Sequence, residues 1–259
     1  MHLIANLKKI KLIRNTYFLL KTTGEFFKFH PLLLIKQFTW FFSQISSLKK
    51  LGENTQFKNI EYHPCLFDNL SYTPLEPTYF FQDSWAAKHL FNLKPNHHYD
   101  IGSSAKTIGI LSQFVPITMI DIRPIELELP NLFFKKGSIL ELPFKDNSIE
   151  TLSSLCVVEH IGLGRYGDQI DPYGSEKAIK ELKRVLNWGG VILFSVPVDA
   201  ENKIYFNAHR AFTREYILEL FEGFEVIEEK YHYGTKMYDS YEKNKGFGTG
   251  LYMLKKREK

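Results

Sequence analysis

The chain has 259 residues, of which 44% are apolar and 15% aromatic, enough to bury the core of one domain of roughly 150–200 residues plus an extension, so a disordered chain is excluded. Two cysteines, Cys65 and Cys156, stand too far apart for a CxxC motif and cannot build a disulfide framework; the expected compartment is reducing cytoplasm, and no metal cluster is expected. The net charge is +4, yet residues 1–50 hold nine lysines and arginines against one acid, Glu25, a local +8 that leaves −4 for the remainder.

That basic arm comes first in the chain. Leu3, Leu7, Ile10, Ile13, Tyr17 and Leu20 recur at steps of three and four, which predicts one stripe of an α-helix. Residues 26–45 are more apolar still, but Lys28, His30, Lys36 and Gln37 interrupt them before a membrane span forms. Lys8, Lys9, Lys11 and Arg14 break the apolar stretch that a signal peptide needs. Two readings of residues 1–52 stand. The arm packs on its own domain or a partner subunit, or it meets an anionic membrane surface at the inner face. A nucleic-acid partner is not expected, because the rest of the chain has no basic excess. Pro64, Pro74 and Pro77 mark residues 53–78 as a connector, and the main domain is expected over 79–259.

Within that domain helices and strands alternate. Helices are predicted over 83–93, 106–114, 175–186 and 214–224, the last capped by Thr213. Strands are predicted ending near Ile101 and over 116–122, 132–135, 151–158 and 191–198. This alternation predicts an α/β fold with a doubly wound, Rossmann-like, mostly parallel sheet. FEVIEEKYHYG and GTGLYMLKK follow without an intervening helix, which predicts an antiparallel pair at one edge.

The stretch Asp100-Ile-Gly102-Ser103-Ser104 ends the first strand and opens the next helix, where doubly wound folds bind ligands. A dinucleotide loop would read G-x-G-x-x-G, and only Gly102 is present. Gly102 can supply a turn with positive φ, and Ser103 or Ser104 a helix cap. A ligand with an amino-acid end and a nucleoside suits the loop better than a pyrophosphate. Asp121 lies 21 positions after Asp100, at the end of the second strand, where an acid accepts from ribose hydroxyls. A helix cap or a solvated loop charge is the alternative.

GSILELPFKDNSIETLSSLCVVEHI and AIKELKRVLNWGGVILFSVPV resemble the later core of class I S-adenosylmethionine-dependent methyltransferases. EHIGLGRYGDQIDPYGSEKAI, with ELKRVL, SVPV and FNAHR after it and HYDIGSS and DIRP ahead, is similar to domain-of-unknown-function family 268, a methyltransferase-like family found among enzymes of surface-glycan assembly. The resemblance runs from about Tyr62 to Phe224. It implies that Asp100, Gly102 and Ser103 hold the methionyl end of S-adenosylmethionine, Asp121 the ribose, and Ser138 and Ile139 the adenine. Ile122 and Cys156 complete the cofactor set, although an apolar strand makes core the ordinary place for Cys156. Ser138 stands where many relatives carry Asp, and Ser104 replaces the usual second glycine.

Glu159 and His160 follow the fourth strand. An imidazole there suits proton removal from an acceptor; ordering of the loop is the alternative. In the loop 162–174, Arg165, Tyr166 and Asp168 are candidate acceptor contacts, with solvated surface charge as the alternative. Asn207 and Arg210 join them, and His209 is a second candidate base, unless all three order the entry to the helix after Thr213. The expected activity is methyl transfer to oxygen or nitrogen of a polar acceptor, with a surface glycan or its precursor as the candidate class. A catalytically silent assembly factor at the membrane is the alternative.

Overall fold

The computed structural model describes residues 31–51 and 60–258, which belong to two compact units, one up to Pro74 and one from Leu75. In the first, helix α1 (Pro31–Lys50) exposes Leu32, Ile35, Phe42 and Leu48. No helix among the described residues is long and apolar enough to cross a membrane. The expected stripe from Leu3 to Leu20, like residues 53–59 of the expected connector, lies outside the described residues.

The second unit is built on strands β1 (His98–Ile101), β2 (Ile117–Asp121), β3 (Leu132–Lys136), β4 (Ile149–Leu155), β5 (Leu186–Val198), β8 (Phe224–Tyr233), β9 (Lys236–Tyr238) and β10 (Gly248–Lys256). They form one sheet in the order β3-β2-β1-β4-β5-β10-β8-β9. β1 to β5 pair in parallel, while β10 runs antiparallel to both β5 and β8. A separate hairpin joins β6 (Lys203–Tyr205) and β7 (His209–Ala211).

Helices cover both faces, and the period of two within each strand divides the core between them. On one face α2 (Pro77–Leu93) and α3 (Ala105–Leu111) place Trp85, Leu90, Ile108 and Leu111 against Ile117, Met119, Leu193 and Leu251. On the other, α4 (Gly174–Val185) and α5 (Arg214–Leu220) place Ile179, Leu182 and Ile217 against Ile120, Ile192, Phe194 and Tyr252. Each such fully buried aliphatic side chain stabilises the fold by about 1.5–3 kcal/mol.

Several boundaries differ from expectation for identifiable reasons. α2 starts six residues early, because Pro77 sits in its first turn, where a missing N–H costs nothing, and Glu76 caps Tyr79 N at 2.8 Å. β5 starts at Leu186, directly after α4, with Gly189 at φ +74 and a register shift opposite β4 between Ile149 and Thr151. β4 stops at Leu155, so Cys156 lies just past the strand with φ +54. The hairpin and β9 were not expected. Thr213 caps α5 as predicted, accepting from Tyr216 N.

ELKRVL has a supporting role. Glu181 accepts from Leu142 N at 2.7 Å, and Arg184 donates to the carbonyls of Leu142 and Phe144 and to Asp146. The pair fixes the segment that follows Ser138–Leu140.

Candidate functional site

A cavity of about 350 Å³ opens at the C-terminal ends of β1, β2 and β4, the crevice in which doubly wound folds bind ligands and within the size range of small-molecule sites. Its first wall is the β1–α3 loop. Gly102 has φ +75, and a Cβ there would meet Val157 Cγ1 at 2.9 Å, so a side chain is excluded twice over. Behind the loop Asp100 is fully buried. Its Oδ2 accepts from the hydroxyls of Ser103 and Ser153, both at 2.6 Å, and Oδ1 accepts from Ser103 N. Because Ser153 gives its proton to Asp100, its oxygen accepts from His98 Nε2 at 3.0 Å. Burial pushes the Asp100 carboxyl up to about 6, against those hydrogen bonds. Ser103 Oγ also accepts from Leu155 N, which ties the loop to β4.

Asp121 closes β2 on the second wall. Its Oδ1 accepts from Arg123 N at 2.8 Å, and Oδ2 takes no hydrogen bond from the described residues. Ile122, Ser138, Ile139 and Leu140 continue this wall. Ser138 Oγ accepts from Leu140 N at 3.2 Å, so its hydroxyl proton remains available to donate.

The third wall follows β4. Cys156 lies on it, with burial, then the nearby Glu159 carboxyl, pushing its thiol well up. A short 3₁₀ turn, Val158–His160, presents His160. His160 Nδ1 donates to the Ala208 carbonyl at 2.7 Å. A carbonyl only accepts, so the proton resides on Nδ1, and Nε2 is the free basic nitrogen. Burial pushes this imidazole down to about 4. Glu159 Oε1 lies 3.7 Å from Nε2, and Glu159 Oε2 is buried without a partner. Burial pushes the Glu159 carboxyl up to about 8, so at neutral pH a protonated acid stands beside a neutral base.

Tyr166 and Asp168, from the loop 161–173, and Tyr79, from the first turn of α2, complete the cavity. Asp168 accepts from the N–H groups of Gly162, Tyr166 and Gly164. Burial acts upward on its carboxyl, and those bonds more than reverse the effect, leaving it below the ordinary range.

Residues 137–245 match the family model described as Caenorhabditis protein of unknown function, DUF268. No curated protein matches. Among solved structures, the [4+2]-cyclase SpnF superposes with a TM-score of 0.52 at 12% identity, over 74% of this chain and 86% of that one. The 1,6-didemethyltoxoflavin-N1-methyltransferase of Burkholderia thailandensis, solved with 1,6-didemethyltoxoflavin and S-adenosylhomocysteine bound, superposes at 0.50 and 14% identity, over 73% and 94%. The chain thus shares the fold of these solved structures, and its residues 137–245 resemble the DUF268 family.

In this fold the expected site residues divide into two groups. Gly102, Ser103, Asp121, Ile122, Ser138, Ile139, Cys156, His160, Tyr166 and Asp168 meet at the cavity. Asp100, Glu159, Arg165, Asn207, His209 and Arg210 are not on its wall. For Asp100 the reason is saturation, since the carboxyl expected to reach the methionyl end is occupied by serines. Arg210, expected at the acceptor, is 6% exposed; its guanidinium donates to the carbonyls of Ile161, Asp171 and Pro172 and to Ser175 Oγ. It is a clamp on the loop 161–173. His209 packs against Tyr205 and Phe247 instead of the cavity, and Asn207 is exposed in the hairpin turn. Ser104 occupies the N-cap position of α3 but makes no side-chain cap bond, and Ser103 points its hydroxyl to Asp100. Neither serine caps the helix as expected. Tyr79 and Arg123 line the cavity without having been singled out. Arg123 stands inside the DIRP motif, two residues after Asp121, whereas Tyr79 fell in the last residues before the expected helix and had no periodic signal.

Proposed function

We propose that this protein binds S-adenosylmethionine and transfers a methyl group to an oxygen or nitrogen of a polar acceptor, with a surface glycan or its precursor as the acceptor class. The observation that carries this reading is Asp121 on the wall at the end of β2, with one carboxylate oxygen unengaged, facing across one crevice from the Gly102 loop. That arrangement suits a ribose diol beside an amino-acid end, and Ser138 and Ile139 offer a polar and an apolar contact for a base. The residues present thus fit the cofactor, which when bound supplies a methyl group on a positively charged sulfur. Gly102 leaves room for close approach to the backbone. Asp121 orients the sugar. His160 Nε2, kept unprotonated by burial and left as the basic nitrogen by the tautomer that the Nδ1 bond to Ala208 fixes, takes the proton released by a hydroxyl or amine acceptor. Ala208 and Tyr166 hold that ring in place, and Val157 and Ile161 exclude water.

Fold alone does not settle activity, since SpnF carries the name of a cyclase. Calorimetry with S-adenosylhomocysteine tests the cofactor directly. Asp121→Ala should weaken binding at least about tenfold, the equivalent of one hydrogen bond to a charged group. Equal affinity in the folded variant, or no binding by the parent, removes the assignment. A second reading, a silent fold acting as an assembly factor at a membrane surface, draws support from the exposed apolar residues of α1; methyl transfer by the purified protein would remove it.

A further inference from the structure

The mouth of the cavity carries two cations on one ring. The guanidinium carbon of Arg123 lies 4.9 Å from the Tyr166 ring centroid, and that of Arg165 lies 5.2 Å from it. The His160 ring meets the same tyrosine edge-on, at 5.5 Å. Both arginines are exposed; the Arg123 side chain is 63% accessible. Cation–π contact explains why each is held, but two guanidinium groups around one phenol repel each other unless an anion is near.

The acids nearby supply it only for Arg123, through one long ion pair with Asp121. Asp168 is committed to three backbone N–H groups. Asp121 reaches Arg123 Nε only at 3.5 Å, and its Oδ1 already accepts from Arg123 N. Arg165 donates Nη1 to the Ala208 carbonyl and has no carboxylate within ion-pair distance among the described residues. Its positive field reaches inward, adding to the downward push of burial on both His160 and His209. The mouth therefore offers the unused N–H groups of two planar forks, the geometry that matches phosphoryl oxygens in pairs.

We propose that the acceptor carries phosphoryl groups, at least two, which bind Arg123 and Arg165 around Tyr166 and place the acceptor nucleophile beside His160. This rests on the methyl-transfer reading for the word acceptor, though not for the anion site itself. A single carboxylate would satisfy one fork and leave the other cation unmatched. A diphosphate spans both, because the two guanidinium groups share one ring.

The test is calorimetric titration of inorganic pyrophosphate at low salt into the protein, with and without saturating S-adenosylhomocysteine. Saturable binding is expected in both cases. Arg165→Gln should weaken it about tenfold, in line with loss of a charge-assisted contact, and Arg165→Lys should fall between, since charge is kept and the fork is lost. S-adenosylhomocysteine affinity of Arg165→Gln should equal that of the parent, because Arg165 is off the cofactor wall. No pyrophosphate binding, unchanged affinity in Arg165→Gln, or acetate binding as tightly as pyrophosphate each overturns the inference. Failure of S-adenosylhomocysteine to bind instead overturns the cofactor reading, and the titration without it still reports on the anion site.

Discussion

The two sides of the cavity are built on opposite plans. On the β1–β2 side most polar groups consume one another: His98, Ser153, Asp100 and Ser103 form a closed buried chain, and what reaches the cavity is a backbone turn, the Asp121 carboxylate and Arg123. On the side of the loop 161–173 and the β6–β7 hairpin, the polar partners are main-chain atoms. Arg210 gathers three carbonyls, Asp168 gathers three N–H groups, and the Ala208 carbonyl takes both His160 and Arg165. That leaves His160, Tyr166 and Arg165 directed at whatever enters, with Arg123 reaching across to Tyr166 from the end of β2. The first side presents a fixed shape with few chemical choices, as a common ligand requires. The second presents charge and a base, where specificity for an acceptor would reside.

The largest effect that can break this contrast is on the clamp. Arg210→Ala removes the donors to the part-buried carbonyls of Ile161 and Asp171 and to the buried Ser175 Oγ, and a bond left unmade away from water costs about 1–3 kcal/mol. A loss of about 3 kcal/mol or more in urea unfolding is expected; a loss under about 1 kcal/mol would show the loop stands without Arg210.

The base comes next. His160→Ala should lower turnover about 10²-fold, the usual contribution of a positioned general base, with S-adenosylhomocysteine affinity nearly unchanged. The parent's pH profile sharpens the point. Burial depresses the imidazole to about 4, and only the neutral form accepts a proton. Activity should therefore be full at neutral pH and lost as pH falls through about 4. A profile that breaks near the ordinary histidine value instead would mean that His160 opens to water or that another group is the base.

The smallest effect lies on the opposite side. Ser138→Asp provides a second carboxylate oxygen for a base amino group while the first still accepts from Leu140 N. S-adenosylhomocysteine should bind several-fold more tightly, the gain of one exchanged hydrogen bond, about 1 kcal/mol. Weaker binding in calorimetry would place the adenine elsewhere.

The alternation of strands and helices was legible because both faces of the sheet are buried, so each element had to declare its own period. α4 and α5 were readable from apolar spacing and the Thr213 cap, and the antiparallel β8 and β10 from two runs with no helix between them. Proline misled at α2, where Pro77 begins a helix that was read as connector. The two shortest hairpins left no periodic trace, since strands of three residues are too brief to show one. In the site, residues at strand ends such as Gly102 and Asp121 could be placed from the order of elements. Arg210 and Asp168 could be picked as polar loop residues, yet their partners are backbone groups, which no side-chain pattern encodes. Asp100 was misplaced for the same kind of reason. The serines that saturate it are 3 and 53 residues away, and only pairing of β1 with β4 brings Ser153 alongside.

The Ala208 carbonyl has a consequence for how this site can vary. It fixes the proton of His160 and one arm of Arg165 at once, and because it is a main-chain atom, exchanging the side chain at 208 does not delete it. The tautomer of the imidazole is thus set by the path of the hairpin. Point changes at position 208 leave base and cation where they are, whereas adding or removing one residue in that turn displaces both together. Length, more than residue identity, is the variable through which this hairpin tunes the reacting end of the cavity.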